Sequence, residues 1–391
     1  ELDESGLSEN TIVFYYSDHG GALGRSKRFM YESGLRIPLV IRFPQRYSDL
    51  APAKSGSTTD RIVTFVDFAP TILSLTNIQP PAWLQGKAFL GKTQGSHREY
   101  AFAFRGRMDE RFDMVRSVRD KKFRYIKNFM PHKIYGQYLS YLWQAPSMAS
   151  WENAWQKGEL NDVQSAFWKP KPSEELYDVE ADPHNIRNLA TLPEYKDVVL
   201  RMREANRQWM LEHRDVGFIP EPMMLEIAKS QSLYDYARSG KYALEKIMET
   251  AELASSMDPS VLPELKKRLT DKDPVVRYWA AVGCTILWKG AMSAKAPLSK
   301  LLNDPEISVR VAAAEALYLL SEKDKSLRVL RDALQSNNLM ARVQALNVLG
   351  NMGKDAMPLM DAIKALLKEN LKDGDYDVRA AKRLLEKMTS D

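Results

Sequence analysis

The C-terminal third of the chain contains the stretch DPEISVRVAAAEAL, residues 304–317, and its pattern of an arginine followed by small residues recurs along the chain. Four such arginines are separated by 33, 32 and 37 residues: Arg277, Arg310, Arg342 and Arg379. A period of this length is typical of stacked helix pairs, in which small alanines let neighbouring helices approach closely. The sequence therefore predicts an all-α solenoid over residues 258–391, after a helical linker at 226–257.

The sequence of residues 1–90 is typical of an α/β domain. Residues 11–16 form an apolar, β-branched and aromatic run that ends in a polar turn, and residues 38–43 form a second run. We expect the first run to be a buried strand of the parallel type. Apolar residues at helical spacing predict a helix over residues 60–75.

Residues 91–225 differ in character and predict a smaller α+β subdomain. Apolar and charged residues alternate over 114–119 and again over 123–127, which predicts an antiparallel hairpin. Residues 193–212 predict a long amphipathic helix. The apolar face of that helix is expected to contain Val198, Leu200, Met202, Trp209 and Met210.

The composition excludes several classes of protein. The hydrophobic fraction of 44% and the charged fraction of 27% are average for a globular protein. The net charge of +5 arises from 56 basic and 51 acidic residues that are interspersed, so no nucleic-acid partner is expected. No apolar run reaches the ~18 residues needed to span a bilayer. The single cysteine, Cys284, lies in an apolar run and is expected to be a buried small hydrophobe.

One short loop after the first strand carries reactive side chains. Asp18 and His19 follow the strand directly, and Lys27 comes eight residues after His19. A carboxylate and an imidazole can bind a divalent cation, and a nearby lysine can hold an anion that bridges to that cation. Alternatively, Asp18 caps the following turn and His19 is solvated. The residues alone leave both interpretations open.

Three segments in order resemble one enzyme family. Residues 10–39 resemble the second metal-binding segment of formylglycine-type sulfatases of the alkaline-phosphatase superfamily, and residues 67–73 resemble the helix that follows it. Residues 168–190 resemble the C-terminal part of bacterial heparan N-sulfatase-like enzymes. The C-terminal segments resemble HEAT repeats, whose inter-repeat arginine matches the four periodic arginines.

The resemblance implies roles for particular residues. Asp18 and His19 match the pair that binds Ca²⁺, Lys27 matches a catalytic lysine that contacts the substrate sulfate, and Arg25 is a second candidate for that contact. The family's nucleophile is a formylglycine made within a Cys/Ser-x-Pro-x-Arg motif, and that motif does not occur in this sequence. We therefore expect the chain to be the C-terminal portion of a longer enzyme and to be inactive alone. The family also implies a periplasmic, extracellular or lysosomal location.

The resemblance predicts hydrolysis of sulfate esters or sulfamates on a sulfated carbohydrate such as a glycosaminoglycan. Arginines at positions 98, 105, 107 and 111 are candidates for pairing with an acidic sugar. Two alternatives stay open: a phosphoester or phosphonate hydrolase of the same superfamily, and a noncatalytic HEAT-repeat interaction protein. The repeats themselves are expected to bind either a protein partner or the chain's own catalytic domain.

Overall fold

The computed structural model describes residues 1–367 and 375–389 of the chain. Within these ranges, short strands occur in the first half and helices follow in the second. The strands are β1 Val13–Tyr16, β2 Leu39–Arg42, β3 Ala101–Arg105, β4 Val115–Arg119, β5 Phe123–Asn128 and β6 Glu174–Asp178. The α-helices are α1 Glu32–Leu35, α2 Phe68–Leu75, α3 Pro146–Gln156, α4 Asp162–Ser165, α5 Lys196–Glu212, α6 Glu221–Ala228, α7 Leu233–Arg238, α8 Leu244–Ser255, α9 Leu262–Arg268, α10 Pro274–Leu287, α11 Lys295–Leu301, α12 Ile307–Leu319, α13 Lys323–Leu334, α14 Leu339–Met352, α15 Met360–Ala365 and α16 Tyr376–Thr389.

The fold divides into two compact units, each made of several stretches of chain. The first unit consists of Glu1–Ala103, Ser117–Ile126 and Glu175–Arg203. The second unit consists of Phe104–Arg116, Lys127–Glu174 and Glu204–Asp391. The domain boundaries proposed from the sequence, at residues 90, 225 and 257, stay a prediction.

The first two strands form a small sheet of their own. Strands β1 and β2 pair antiparallel, with Tyr15 opposite Val40, so the prediction of a buried, parallel-type strand at residues 11–16 is wrong. Tyr16 packs edge to face on Phe68 of α2, with ring centroids 4.9 Å apart. Because side chains alternate along a strand, Tyr15 lies on the opposite face, where it is 68% exposed and Val40 is 59% exposed.

The other four strands form one sheet in the order β3-β4-β5-β6. The predicted hairpin over residues 114–119 and 123–127 is confirmed by strands β4 and β5. Asp120 closes its turn, because its backbone amide donates to the carbonyl of Phe123 at 3.0 Å and its carboxylate accepts from the Phe123 amide at 2.6 Å.

The helix predicted over residues 193–212 is confirmed, with a 3-10 turn at Pro193–Tyr195 leading into α5. The buried face of this helix contains Val199, which was not predicted, and lacks Leu200, which was. Val199 is buried, whereas Leu200 is 46% exposed. Positions 199, 202, 206 and 210 recur at the helical spacing of three or four residues, and position 200 lies off that stripe.

The helix predicted over residues 60–75 is shorter than expected. It begins with a 3-10 turn at Phe65–Asp67 and continues as α2. Thr64 and Asp67 form a reciprocal capping box that sets its first residue. The apolar residues before Thr64 therefore do not extend the helix.

The repeat predicted from the four arginines is confirmed as a series of helix pairs that ends with α13–α14 and α15–α16. Arg277 binds the carboxylate of Asp304 at 2.7 and 2.9 Å, and Arg342 binds Asp377 at 2.6 Å, so each arginine reaches the acidic turn of the next repeat. Arg277, Arg310 and Arg342 also donate to a carbonyl oxygen in the loop before their own helix, at 2.6–2.7 Å. These contacts explain why one arginine recurs in each repeat.

A single hydrophobic cluster joins the early segments of the second unit to its first repeats. It contains Met114 and Phe129 together with Trp279 of α10, and all three are fully buried. The indole nitrogen of Trp279 donates to the carbonyl of Phe218 at 2.9 Å. Cys284 lies in the same cluster, which confirms the expectation of a buried small hydrophobe, and burial raises the pKa of its thiol to about 12.

Candidate metal and anion site

The loop after β1 is a tight structure in which glycine is required. The amide of Gly20 donates to the carbonyl of Gly34 at 3.0 Å, and the amide of Lys27 donates to the carbonyl of Gly21 at 3.0 Å. A Cβ atom at Gly20 would lie 1.9 Å from the carbonyl oxygen of Ser33, which is far inside contact distance. The loop that carries the predicted site residues is therefore held against the segment around α1.

Asp18 and His19, the predicted metal ligands, lie together. Oδ2 of Asp18 is 3.1 Å from Nε2 of His19, and the Asp18 side chain is 78% exposed. Nδ1 of His19 lies 2.7 Å from the carbonyl oxygen of Gly20, which can only accept, so Nδ1 carries the proton of this contact. In the neutral ring, a lone pair on Nε2 then faces a carboxylate oxygen. A carboxylate oxygen and an imidazole nitrogen placed in this way can both bind one metal ion.

Arg25, the second predicted anion contact, is fixed by its surroundings. Its guanidinium donates to the carbonyl of Asn185 at 2.6 Å and lies 4.3 Å from the ring centroid of Tyr31. Its backbone φ is +62°, an uncommon value for a residue with a side chain, and its carbonyl accepts from the Ser33 hydroxyl at 2.5 Å. Arg25 therefore presents its guanidinium in one orientation.

Sequence reasoning missed the group that supports this loop. Glu32, at the start of α1, is buried and binds Arg119 at 3.0 Å and Arg124 at 2.9 Å. Its backbone amide donates to the side chain of Asn185 at 2.7 Å, the same residue whose carbonyl binds Arg25. Glu32 and Asn185 are separated by 153 positions, so no local pattern could have paired them.

The arginines that the sequence suggested for acidic sugars have protein partners. Arg98 binds the buried Asp67 through two nitrogens, with contacts of 2.5–3.0 Å. Arg107 binds Glu221 at 2.8 Å, and Arg111 binds the side chain of Asn347 at 3.0 Å. Each of these side chains is engaged in a contact within the protein.

Asp18 and His19 fit as two ligands of a metal site but do not complete one. Ca²⁺ takes six to eight oxygen ligands. Over residues 1–367 and 375–389, no group of three or more histidine, cysteine, aspartate or glutamate side chains could hold a metal ion. One exposed carboxylate and one imidazole therefore supply only two of the ligands that such a site needs.

Weak calcium binding by this chain alone follows from that donor set. We expect a dissociation constant of about 1 mM or weaker, since even complete but loose calcium sites bind in the range of about 0.1–1 mM. Calorimetric titration with CaCl₂ measures it, with Asp18→Asn as the matched variant. Saturable binding at micromolar calcium that Asp18→Asn abolishes would contradict the two-ligand interpretation.

Among the described residues, no helix has both the length and the apolar character needed to cross a bilayer.

Comparison with known proteins identifies relatives of both parts of the chain. Residues 1–78 match the family described as Sulfatase. Residues 294–386 match HEAT repeats, and residues 255–280 match a HEAT repeat associated with sister chromatid cohesion.

Three curated relatives each match more than half of the chain. An ulvan-active sulfatase of Formosa agariphila is 38% identical over 226 residues, which cover 58% of this chain and 37% of the relative. An N-acetylglucosamine-6-O-sulfatase of Bacteroides thetaiotaomicron is 28% identical, with coverage of 53% and 32%. Human N-sulphoglucosamine sulphohydrolase is 26% identical, with coverage of 55% and 44%. The chain thus spans less than half the length of each of these relatives.

Proposed function

We propose that this chain forms the C-terminal portion of a carbohydrate sulfatase. The premise is that its N-terminal part is of the sulfatase family and is followed by HEAT repeats. The reaction is hydrolysis of a sulfate ester or sulfamate. The observation that carries the proposal is the pairing of Asp18 with His19 at 3.1 Å in the loop that the family resemblance marks as metal-binding.

The side chains of the loop take separate roles in this proposal. Asp18 and His19 hold a divalent cation from one side, with the remaining ligands coming from outside this sequence. Lys27 and Arg25 bind the sulfate oxygens, and a cation in a preorganised site stabilises negative charge that builds up during attack at sulfur. The stacking of Arg25 on Tyr31 and its bond to Asn185 fix the guanidinium before substrate arrives, so no binding energy is spent on orienting it.

The nucleophile belongs to a part of the enzyme outside this sequence. The Cys/Ser-x-Pro-x-Arg motif is absent from residues 1–391, and the only cysteine is buried in the repeats with its thiol pKa raised to about 12. A formylglycine supplied by another segment would provide the attacking group. The chain alone is therefore proposed to be inactive.

The substrate class follows from the relatives, which act on ulvan, on N-acetylglucosamine 6-O-sulfate or on N-sulphoglucosamine by their names. We propose that the substrate is a sulfated polysaccharide or an oligosaccharide derived from it. The complete active site determines whether the bond that is hydrolysed is an O-sulfate or an N-sulfate. A periplasmic, extracellular or lysosomal location is proposed on the same ground.

Sulfate release by the full-length protein tests the proposal. Conversion to formylglycine is first confirmed by mass spectrometry, and the enzyme is then incubated with ulvan fragments, 6-O-sulfated N-acetylglucosamine and N-sulfoglucosamine. Release of sulfate from one of these is expected. Failure on all of them, with phosphate released from a phosphomonoester or phosphonate ester, would instead support the phosphohydrolase alternative.

A further inference from the structure

One face of the repeats makes polar contacts with an earlier segment of the same compact unit. We call this the contact face, made of Glu315 on α12, Asn347 on α14, and Arg379 and Arg383 on α16. Helix α6, which precedes the repeats and contacts α12 and α14, adds Glu221 to the same set of contacts. The counterpart of the contact face within the second unit lies in residues 105–116 and 127–152 and is called the braced segment.

Asn347 lies at the centre of the contact face. Its amide nitrogen donates to the carbonyl of Glu110 at 2.9 Å, and its amide oxygen accepts from the guanidinium of Arg111 at 3.0 Å. Arg111 also donates to the carbonyl of Tyr138 at 3.1 Å. One asparagine of the repeats therefore uses both its donor and its acceptor on adjacent residues of the braced segment.

Helix α16 adds contacts at one end of this face. Arg379 lies 3.8 Å from Asp109, and Arg383 lies 3.5 Å from Glu152. The guanidinium of Arg383 also stacks on Tyr138, 4.0 Å from its ring centroid. Arg379 occupies the periodic arginine position of the last repeat, yet it pairs with the braced segment, unlike Arg277 and Arg342, which pair with the next repeat.

One further ion pair is partly sheltered from water. Glu221 binds Arg107 at 2.8 Å, with both side chains less than a quarter exposed. Burial raises the pKa of the Glu315 carboxyl, and the charge of Lys133 opposes that rise. Separating Glu221 from Arg107 would leave two partly buried charges without a partner, which favours keeping the braced segment in place.

The contact positions follow the repeat itself. Glu315 lies five residues after Arg310, and Asn347 lies five residues after Arg342, so they occupy equivalent positions in successive repeats. Equivalent positions on stacked helices fall on the same face. The same unit's hydrophobic cluster also contains Met114 and Phe129 of the braced segment alongside Trp279 of the repeats.

We infer that the contact face is a recognition surface for this chain's own braced segment, so that the repeats act as an internal brace and a protein partner is not the occupant of this face. The repeats fix the turn around residues 107–111 and the loop around residues 132–144. This inference does not depend on the proposed reaction.

Hydrogen exchange of the braced segment tests the brace. Met108 and Arg111 exchange backbone hydrogen bonds at 2.7 and 2.9 Å, so their amides report on the turn beside Asn347. In the full chain, Asn347→Leu is expected to speed exchange of peptides spanning 106–113 by about tenfold, as expected for loss of two hydrogen bonds. Arg331→Leu, on the exposed side of α13, is the matched control and leaves these peptides unchanged.

A double-mutant cycle separates a direct contact from general loosening. If Arg111 and Asn347 act through each other, the increase in exchange for Arg111→Met with Asn347→Leu is smaller than the product of the two single increases. Multiplicative effects, or an Asn347→Leu increase no larger than that of the control, would overturn the inference. Circular dichroism of each variant confirms that the helices remain folded.

Discussion

Alanine in place of Lys27 in the full-length enzyme is expected to lower kcat/KM for sulfate release by about 10²–10³-fold. The reason is that a preorganised donor to a developing anion contributes about that factor in other hydrolases. Asp18→Ala is expected to produce a loss of similar size, and it should also raise the calcium concentration needed for half-maximal activity. Steady-state kinetics at several calcium concentrations measure both effects.

The chain offers a matched control in Lys54→Ala, which removes an exposed lysine of the same unit and should leave kcat/KM unchanged. Lys27→Arg retains a positive charge and is expected to recover part of the activity, although an arginine places its donors differently. Retention of more than half the wild-type kcat/KM by Lys27→Ala would show that this loop is not the sulfate site. Bound calcium, measured by atomic emission, distinguishes loss of metal from loss of anion binding.

The sequence predicted the repeats well because their determinants are periodic. Arg277 binds Asp304 in the next repeat, and Arg342 binds Asp377 in the repeat that follows it, so a similar pairing occurs at two of the periodic positions. The β4–β5 hairpin was predictable for a related reason, since Asp120 closes its turn through contacts two and three residues away. Local or periodic interactions leave a visible pattern.

Long-range pairings were not predictable from the sequence. The run at residues 11–16 gave no sign that its partner strand would be antiparallel or that Tyr15 would be exposed, because a strand's neighbours are supplied by the rest of the fold. Arg111 looked like a sugar contact, and its actual partner, Asn347, lies 236 positions away. In the candidate site, the adjacent Asp18–His19 pair was predictable, whereas the support from Glu32 was not.

Replacing Glu32 by alanine is expected to destabilise the first unit by about 3–5 kcal/mol, because removing one member of a buried charge network leaves the other charges without a partner. Glu32 and Arg124 are each 4% exposed, so water cannot replace the lost carboxylate. Urea unfolding, monitored by hydrogen exchange of peptides within residues 117–126, measures the change in the free energy of unfolding. The same variant should increase exchange of the loop at residues 20–31, which Asn185 links to Glu32.

The stabilisation by Glu32 is expected to depend on pH. Burial alone raises the pKa of its carboxyl, but the charges of Arg124 and Arg119 and the hydrogen bonds from them outweigh burial, so the pKa lies below its ordinary value of 4.5. A carboxyl whose pKa is lowered by folding stabilises the folded state above the unfolded-state pKa. The contribution is therefore present in full at pH 6–7 and decreases as the pH falls below about 4.5. The difference in unfolding free energy between wild type and Glu32→Ala should shrink over that acid range.

Glu9→Ala provides the matched control, because Glu9 pairs with Arg42 at 3.6 Å and its side chain is 69% exposed. An exposed pair of this kind contributes about 0–1 kcal/mol. A loss for Glu32→Ala no larger than for Glu9→Ala would mean that the two arginines find other partners. If instead Glu32→Ala destabilises the unit and the double variant Glu32→Leu with Arg124→Met restores most of the loss, the cost lies in the uncompensated charge rather than in lost packing. That outcome would identify Glu32 as the group that neutralises the buried Arg124 and the partly exposed Arg119, and thereby holds the site loop in place.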